Sequence, residues 1–376
     1  MRGSIKKRNG AYCIVYDAGK YADGKRRQKW KSGFKTKKDA EKALRALIEE
    51  EENSFVKKQE HCTLGVYLNE WLISYCEGRL ARNTINGYRV NIEKHIIPHI
   101  GQIPLCDLQP EQIEKLYVQL QSEGLAGTSV LYVHRVLRKA LNTAVKSRKL
   151  RVNVTDYVEA PAKSKFRPSV LRQDEVLRLL AQVKDTEIFI PVLFAVTLGM
   201  RRGESLGMKW SDIDFQQGTL QIQRTATTYK DGVVYSDVKT ANSHRTLCIP
   251  QRVMIYLLEH KEHQRLQGER IGEGFNADGL VTCRADGCPL TSHILDKAFK
   301  RSLKAAELPN TRFHDLRHTN ATLMLSKNVP AKIVSSMLGH SSIGITLDTY
   351  SHVITEMQQP AINVIEQLFS DNVSKP

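Results

Sequence analysis

The stretch TRFHDLRH, residues 311–318, gives the strongest indication of how the C-terminal half of the chain folds. His314 and Arg317 are three residues apart, so on a helix they lie on one face. An imidazole and a guanidinium on one face can both reach a single phosphate group. His318 is an alternative of the same residue type, but the spacing from Arg317 favours His314. The stretch therefore predicts a helix that presents phosphate-binding side chains.

A second segment of this kind lies upstream, where residues 197–206 read TLGMRRGESL. It follows an apolar helix and places Arg201 beside a glycine break. An arginine at the start of a helix combines a fixed charge with nearby backbone N–H groups, which suits a phosphate. Glu204 is three residues further on, close enough to orient Arg201. Arg202 is the neighbouring alternative to Arg201.

Two more segments supply a histidine, a tyrosine and a lysine. Residues 338–340 read LGH, which puts His340 at a glycine after a predicted helix, and Tyr350 follows ten residues later. Lys239 lies in a predicted turn between two strands, where a flexible amine can reach a leaving group. Each segment alone has an ordinary structural explanation, so the argument depends on their combination and order.

In this order the four segments resemble the signature of the tyrosine recombinase, or phage integrase, family. That signature is an arginine in a Thr-Gly-Leu-Arg-x-x-Glu-type motif, a lysine on a β-hairpin, His-x-x-Arg, Leu-Gly-His and a nucleophilic tyrosine. The residues that occupy those places here are Arg201, Glu204, Lys239, His314, Arg317, His340 and Tyr350. Leu198 is a departure, because the family most often has threonine there, but it lies outside the phosphate-binding set.

The resemblance implies that the chain cuts and rejoins DNA, integrating and excising a mobile element. Attack on a phosphodiester builds negative charge on its oxygens, which Arg201 and Arg317 can bind through their guanidinium forks. Their charge also favours the tyrosinate of Tyr350, whose ordinary pKa near 10 makes it a poor nucleophile at neutral pH. In the implied reaction Tyr350 attacks and becomes a 3′-phosphotyrosine.

The resemblance also implies roles for the remaining groups. Lys239 is the expected general acid for the departing 5′-oxygen, and His314 helps to accept the tyrosine proton. His340 donates a hydrogen bond to the phosphate, and His352 is an alternative group that could tune Tyr350. Because one ester replaces another, the reaction needs no ATP, metal or other cofactor.

The charge of the chain agrees with a nucleic-acid partner. Its 376 residues contain 56 Lys and Arg against 40 Asp and Glu, a net charge of +16. The first 48 residues hold 15 of the basic and 4 of the acidic residues. Such a concentration of positive charge is typical of a DNA-binding segment.

That basic segment has the pattern of a small ββα module. Residues 12–16 and 26–31 predict two strands, and Thr36 predicts the N-cap of a helix that ends at the acidic run 49–52. A two-stranded ribbon can enter the DNA major groove. The candidate DNA-binding residues are Lys6, Arg8, Arg26, Arg27, Lys29 and Lys31. The alternative is a solvated basic tail.

The rest of the chain divides at two linkers. We expect a multidomain, mainly α protein: an arm-DNA-binding domain at 1–57, a helical core-DNA-binding domain at 62–162 and an α+β catalytic domain at 169–376. In the helical domain, tryptophan and tyrosine are expected to pack in the core. In the catalytic domain, residues 219–226, 233–238 and 245–249 predict a small antiparallel sheet. Residues 356–376 predict an amphipathic tail helix.

Several other classes of protein do not fit. The seven cysteines are scattered and contain no Cys-x-x-Cys pair, so we expect neither a zinc site nor a disulfide framework. No apolar run is long enough to span a bilayer, no signal peptide begins the chain, and no phosphate-binding Gly-Lys-Ser/Thr loop is present. These observations favour a cytoplasmic enzyme of a bacterial host, working on DNA.

The resemblance further implies the partners. These are double-stranded DNA at core and arm attachment sites, a homo-tetramer on that DNA, and possible accessory excision or host DNA-bending proteins. The tail helix could dock on a neighbouring protomer or on its own domain. Two other functions compete: a DNA-binding regulator that has lost catalysis, and a type IB topoisomerase-like enzyme. The intact set of seven site residues argues against the first, and the separate arm-like domain against the second.

Overall fold

The computed structural model divides into two units, residues 1–166 and 167–376. It describes residues 3–8, 11–20, 26–57, 62–164, 168–238, 243–350 and 366. Among these residues, no helix is long and apolar enough to cross a membrane.

The N-terminal unit begins with a small antiparallel sheet and a helix. The sheet contains β1 (Gly3–Arg8), β2 (Ala11–Lys20) and β3 (Arg26–Phe34) in the order β1-β2-β3, and α1 (Lys37–Lys57) follows. The predicted strands and the Thr36 cap are confirmed, since the Thr36 hydroxyl accepts a hydrogen bond from the Asp39 amide at 3.2 Å. β1 is a strand that the sequence did not predict, because its one large apolar residue gives no alternating pattern.

The end that the sequence predicted for α1 is wrong. The helix runs through the acidic residues 49–52 and ends at Lys57. Glutamate has a high helix propensity, so a run of glutamates extends an established helix more readily than it ends one.

A helical bundle fills the rest of this unit. Its helices are α2 (Leu64–Trp71), α3 (Arg82–Asn91), α4 (Ile97–Ile100), α5 (Pro110–Ser122) and α6 (Gly127–Lys146). Single π-helical turns at Leu72–Cys76 and Ile92–Ile96 extend α2 and α3. Trp71 and Tyr88 are buried and stack with 5.7 Å between ring centroids, which confirms that both belong to the core. Tyr75 stacks on Trp71 at 5.9 Å but is only half-buried. For Tyr157 the prediction is wrong, because this residue is 67% exposed.

The C-terminal unit is mainly helical. Its helices are α7 (Gln173–Val183), α8 (Phe189–Leu198), α9 (Arg202–Gly207), α10 (Gln251–Ile271), α11 (Ser292–Ala305), α12 (Asp315–Ser326), α13 (Ala331–Leu338) and α14 (Ile343–Thr349). Nearly every residue of α8 is buried, so this helix forms the centre of the unit. α12 packs against α8, and α13 and α14 pack against each other.

Two small sheets lie between α9 and α10 in the chain. The strands are β4 (Ile213–Asp214), β5 (Thr219–Ile222), β6 (Arg224–Tyr229), β7 (Gly232–Asp237) and β8 (Arg245–Cys248). The single strand predicted over 219–226 is divided at Gln223. Among the described strands, β5 pairs with β4 and β8, whereas β6 pairs with β7. The predicted single sheet is therefore two separate sheets.

Candidate active site

Two glycines form the turns that bring the site residues together. Gly199 ends α8 and Gly339 ends α13, with φ values of 63° and 64° in the left-handed region that favours glycine. A Cβ atom on Gly199 would collide with the Leu338 side chain and lie 2.9 Å from Asn320 Oδ1. The close approach of α8, α12 and α13 therefore requires glycine at this position.

Arg201 follows the first of these turns at the N-cap of α9. Its guanidinium Nη1 donates to Glu204 Oε1 at 2.7 Å, and its backbone N–H donates to Glu204 Oε2 at 2.9 Å. Its Nη2 also donates to the carbonyl oxygen of Gly339 at 2.9 Å. The predicted contact between Arg201 and Glu204 is therefore present, and it fixes the direction of the guanidinium.

A second arginine, which no sequence motif indicated, holds the same carboxylate. Arg245, at the start of β8, donates to Glu204 Oε2 at 2.8 Å and to Oε1 at 3.2 Å. It also donates from Nε to the carbonyl oxygen of Met337 at 2.7 Å. Burial alone would raise the pKa of Glu204, but the hydrogen bond and charge of Arg245, together with Arg201, lower it below its ordinary value. Glu204 is therefore an ionised, buried anchor.

Arg317 reaches the same place from α12. Its side chain is buried; Nη1 donates to the Gly199 carbonyl oxygen at 2.6 Å, and Nη2 donates to the Leu338 carbonyl oxygen. Burial, followed by the charge of Arg201, lowers the pKa of Arg317 to about 9, so the group remains charged at neutral pH.

The C-terminal end of α13 is thus bound by three guanidinium groups. Arg245, Arg317 and Arg201 donate in turn to the carbonyl oxygens of three consecutive residues, Met337, Leu338 and Gly339. The last carbonyls of a helix carry partial negative charge and have no partner within the helix. They therefore hold the three cations in a fixed arrangement beside His340.

Tyr350 follows α14 and lies deep in the same unit. Its side chain is 1% exposed, and its hydroxyl is 2.7 Å from Nδ1 of His318. Burial raises the pKa of Tyr350 to about 12, although the charge of Arg317 opposes the shift. The nucleophile predicted from sequence is therefore protonated near pH 7 and held by a histidine.

That histidine is not the one favoured by the sequence spacing. His318 lies one helical turn beyond His314 on α12, and this turn carries its ring to the Tyr350 hydroxyl. His314 lies at the N-terminus of α12 and contacts the His318 ring edge to face, with 5.3 Å between ring centroids. His314 stays exposed on one side, although neighbouring atoms exclude enough water to lower its pKa to about 4.

His340 has a fixed partner of its own. Its Nδ1 is 2.8 Å from the hydroxyl of Thr346, which is fully buried in α14. Nε2 is therefore the ring nitrogen that can contact a ligand. Burial, with the charges of Arg317 and Arg201, lowers the pKa of His340 to about 4, so the ring is neutral near pH 7.

Some predicted site residues lie outside the described part of the chain. These are Lys239, in the segment between β7 and β8, His352, and the tail helix at 356–376 apart from Glu366.

The candidate DNA-binding residues of the N-terminal module occupy two faces of its sheet. Lys6 pairs with Cys13, which pairs with Ser32, whereas Lys31 pairs with Ile14 in the next row. Since neighbouring rows point to opposite faces, Lys6 and Arg8 lie on one face, and Lys29 and Lys31 on the other. All four are exposed. Arg26 and Arg27 are placed in β3 by their backbone.

Three family models match successive parts of the chain. An arm DNA-binding domain matches residues 4–50, the N-terminal SAM-like domain of phage integrases matches residues 63–121, and the phage integrase family matches residues 169–357. The last match spans the candidate active site from α7 to Tyr350.

Known proteins are similar over nearly the whole length. A tyrosine recombinase XerC-like protein of Caldanaerobacter subterraneus subsp. tengcongensis is 28% identical, over 97% of this chain and 98% of its own. The ICEBs1 integrase of Bacillus subtilis is 23% identical, over 97% of this chain and all of its own.

Solved structures share the fold. The Tn1549 transposon integrase in complex with a circular intermediate DNA has a TM-score of 0.68 and 17% identity, covering 79% of this chain and 99% of that one. A lambda integrase tetramer bound to a Holliday junction has a TM-score of 0.57 and 23% identity, covering 90% and 95%.

Proposed function

Because the chain belongs to the phage integrase family, we propose that Tyr350 is the residue through which it cuts and rejoins DNA. The protein is a site-specific DNA recombinase that acts in the integration of a mobile element. The observation that supports the proposal is the hydrogen bonding that holds Arg201 and Arg317 at the end of α13, with the charge of Arg317 acting on Tyr350. In the proposed reaction, that hydroxyl attacks the scissile phosphate and forms a 3′-phosphotyrosine.

The two arginines suit the charge that develops in this reaction. Attack on a phosphodiester adds negative charge to its non-bridging oxygens, and preorganised donors stabilise that charge without reorganising. The hydrogen bonds of Arg201 and Arg317 to Gly339, Gly199 and Leu338 provide this preorganisation. His340 adds a neutral donor from the same turn.

The departing 5′-oxygen needs a proton, and we assign this step to Lys239 as general acid. The reaction exchanges one phosphate ester for another, so its energy is conserved and the reverse step joins a new 5′-hydroxyl. In this proposal no nucleotide, metal or other cofactor takes part.

The three domains then divide the recognition of DNA. We assign arm-site DNA to residues 1–57, core-site DNA to 62–162 and strand cleavage to 169–376. Exchange between two DNA molecules requires four active sites, so the working form is a homo-tetramer, with the tail at 356–376 as the candidate link between protomers. Accessory excision or host DNA-bending proteins fit this scheme, and the place of action is the DNA of a bacterial cytoplasm.

The split of basic residues over two sheet faces gives a test of the arm assignment. Only one face of such a sheet can enter the major groove. We therefore expect one double variant, either Lys6→Ala with Arg8→Ala or Lys29→Ala with Lys31→Ala, to weaken binding of the full chain to duplex DNA from the element ends. Its plot of log affinity against log salt should become shallower by about 0.9 for each phosphate that the variant no longer neutralises.

The other double variant is the matched control, since it removes the same charge from the opposite face. Equal losses of affinity from both pairs would indicate diffuse attraction to a basic tail, and no loss from either would remove this sheet from DNA binding. Unchanged thermal unfolding would show that both variants retain the fold.

A recombination assay tests the function as a whole. Supercoiled plasmids that carry the DNA flanking this gene, where such elements usually keep an end, are incubated with the protein. We expect joined recombinant molecules. Relaxed circles without recombinants would indicate a topoisomerase-like enzyme, and tight binding without any change in the DNA would indicate a non-catalytic regulator.

A further inference from the structure

We propose that His318 accepts the proton of the Tyr350 hydroxyl during attack, which makes it a catalytic residue of strand cleavage. The inference rests on the proposed function and deepens it, because it assigns to His318 a step that the family resemblance implied for His314.

The geometry brings an acceptor directly to the reacting atom. His318 Nδ1 lies 2.7 Å from the Tyr350 hydroxyl oxygen, within the range for a well-formed hydrogen bond. The two rings are tilted by 56°, with centroids 5.8 Å apart. A general base must be within hydrogen-bond reach of the proton that it removes, and His318 meets this requirement before any DNA is bound.

The position of His318 is fixed by the helix that carries it. On one side of it in the sequence, Arg317 bonds to the carbonyls of Gly199 and Leu338. On the other side, the Thr319 hydroxyl donates to the Asp315 carbonyl and accepts a hydrogen bond from the Leu171 amide. α12 therefore cannot rotate His318 away from Tyr350 without breaking its bonds to α8, α13 and the segment before α7.

The surroundings keep the His318 ring neutral near pH 7. Burial lowers the pKa of His318; the carboxylate of Asp315 opposes this shift, and the charges of Arg317 and Arg312 add to it. A neutral imidazole has one nitrogen with a free lone pair. For His318 to act as the base, that nitrogen is Nδ1 and the ring proton is on Nε2.

The other two histidines that the structure describes in this site are less well placed for this step. Nδ1 of His340 is already bonded to Thr346, and its other nitrogen is assigned to the phosphate. His314 packs its ring against the His318 ring. It can support the cation that forms on His318 or contact the DNA, but it is one ring removed from the reacting hydroxyl.

The step balances as a transesterification. The O–H bond of Tyr350 breaks as its oxygen bonds to phosphorus, and the proton moves to His318 Nδ1. The bond from phosphorus to the 5′-oxygen breaks, and that oxygen takes a proton from Lys239. In the joining step the 5′-hydroxyl attacks, returns a proton to Lys239, and the released Tyr350 oxygen recovers its proton from His318.

The test isolates activation of the tyrosine from protonation of the leaving group. The substrate is a nicked duplex from the element end whose scissile phosphate carries sulfur at the 5′-bridging position, because a thiolate leaves without help from Lys239. Covalent adduct formation is measured in a single turnover for wild type, His318→Asn and His314→Asn. Each is made with tyrosine or with a fluorinated tyrosine of lower pKa at position 350.

A base role predicts a specific pattern. His318→Asn keeps a polar group at the position of Nδ1 but removes the base, so adduct formation should slow by about 10²–10⁴-fold. Its rate should rise with pH as hydroxide replaces the missing base, and the fluorinated tyrosine should restore much more rate in His318→Asn than in wild type. His314→Asn should not show this selective rescue.

Two results would overturn the inference. One is a His318→Asn protein that forms the adduct at the wild-type rate; the other is a loss that is equal at every pH and with both tyrosines, which would indicate a packing role. Failure of the proposed function would give a distinguishable result, since the wild-type protein itself would then form no covalent adduct.

Discussion

Replacing Tyr350 with phenylalanine is expected to abolish the covalent protein–DNA adduct and leave DNA binding intact. The substitution removes one oxygen from a side chain that is 1% exposed, and it keeps the ring that packs beside Leu325, Val334 and Leu338. The structural cost is the hydrogen bond to His318, worth about 1 kcal/mol. The chemical cost is complete, because the nucleophile is absent.

The measurement is a denaturing gel of protein incubated with nicked DNA from the element ends. Wild type should give a detergent-resistant adduct, and Tyr350→Phe should give none while its binding in a native gel is unchanged. Tyr235→Phe is the matched control, since the Tyr235 hydroxyl is also buried and has no hydrogen-bond partner among the described residues. An adduct that persists in Tyr350→Phe would place the nucleophile elsewhere in the chain.

The second large effect is expected from Arg201→Ala. Loss of one preorganised donor to a developing oxyanion typically costs about 10²–10³-fold in rate. The fold should survive, because Glu204 keeps both of its hydrogen bonds with Arg245 and is not left as an unpaired buried charge. The defect should therefore appear in the rate of adduct formation far more than in thermal unfolding.

The adjacent arginine provides the control for this experiment. Arg202 pairs with Asp296 at the surface, where both side chains are more than 40% exposed. Arg202→Ala removes the same charge one residue away and should leave the adduct rate near wild type, since exposed ion pairs contribute little. Similar losses of rate in the two variants would mean that the general positive potential, rather than Arg201 itself, supports cleavage.

Patterns within short stretches of sequence were sufficient to predict many of the helices and strands and part of the candidate site. Gly199 and Gly339 were recognisable as helix ends because each follows a predicted helix. The pairing of Arg201 with Glu204 followed from a spacing of three residues, which brings the two side chains together at the start of any helix.

Contacts between residues far apart in the sequence could not be predicted in this way. Arg245 meets Glu204 from 41 residues away, and nothing in a short strand indicates that its first residue will bind a carboxylate. The choice between His314 and His318 also depends on where Tyr350 lies relative to α12. The sequence spacing from Arg317 gives no information about that position. The division of the sheet at Gln223 depends on which strands become neighbours, again a property of the assembled unit.

The clustering of Arg201, Arg245 and Arg317 around the end of α13 has a consequence for the stability of the folded enzyme. Arg201 and Arg245 share the Glu204 carboxylate, all three guanidinium groups bind the end of α13, and burial, followed by the charge of Arg201, lowers the pKa of Arg317. An anion that binds only the native state shifts the folding equilibrium by RT ln(1 + [L]/Kd). The chain is therefore least resistant to unfolding when it is away from DNA, and its own substrate acts as its stabilising ligand.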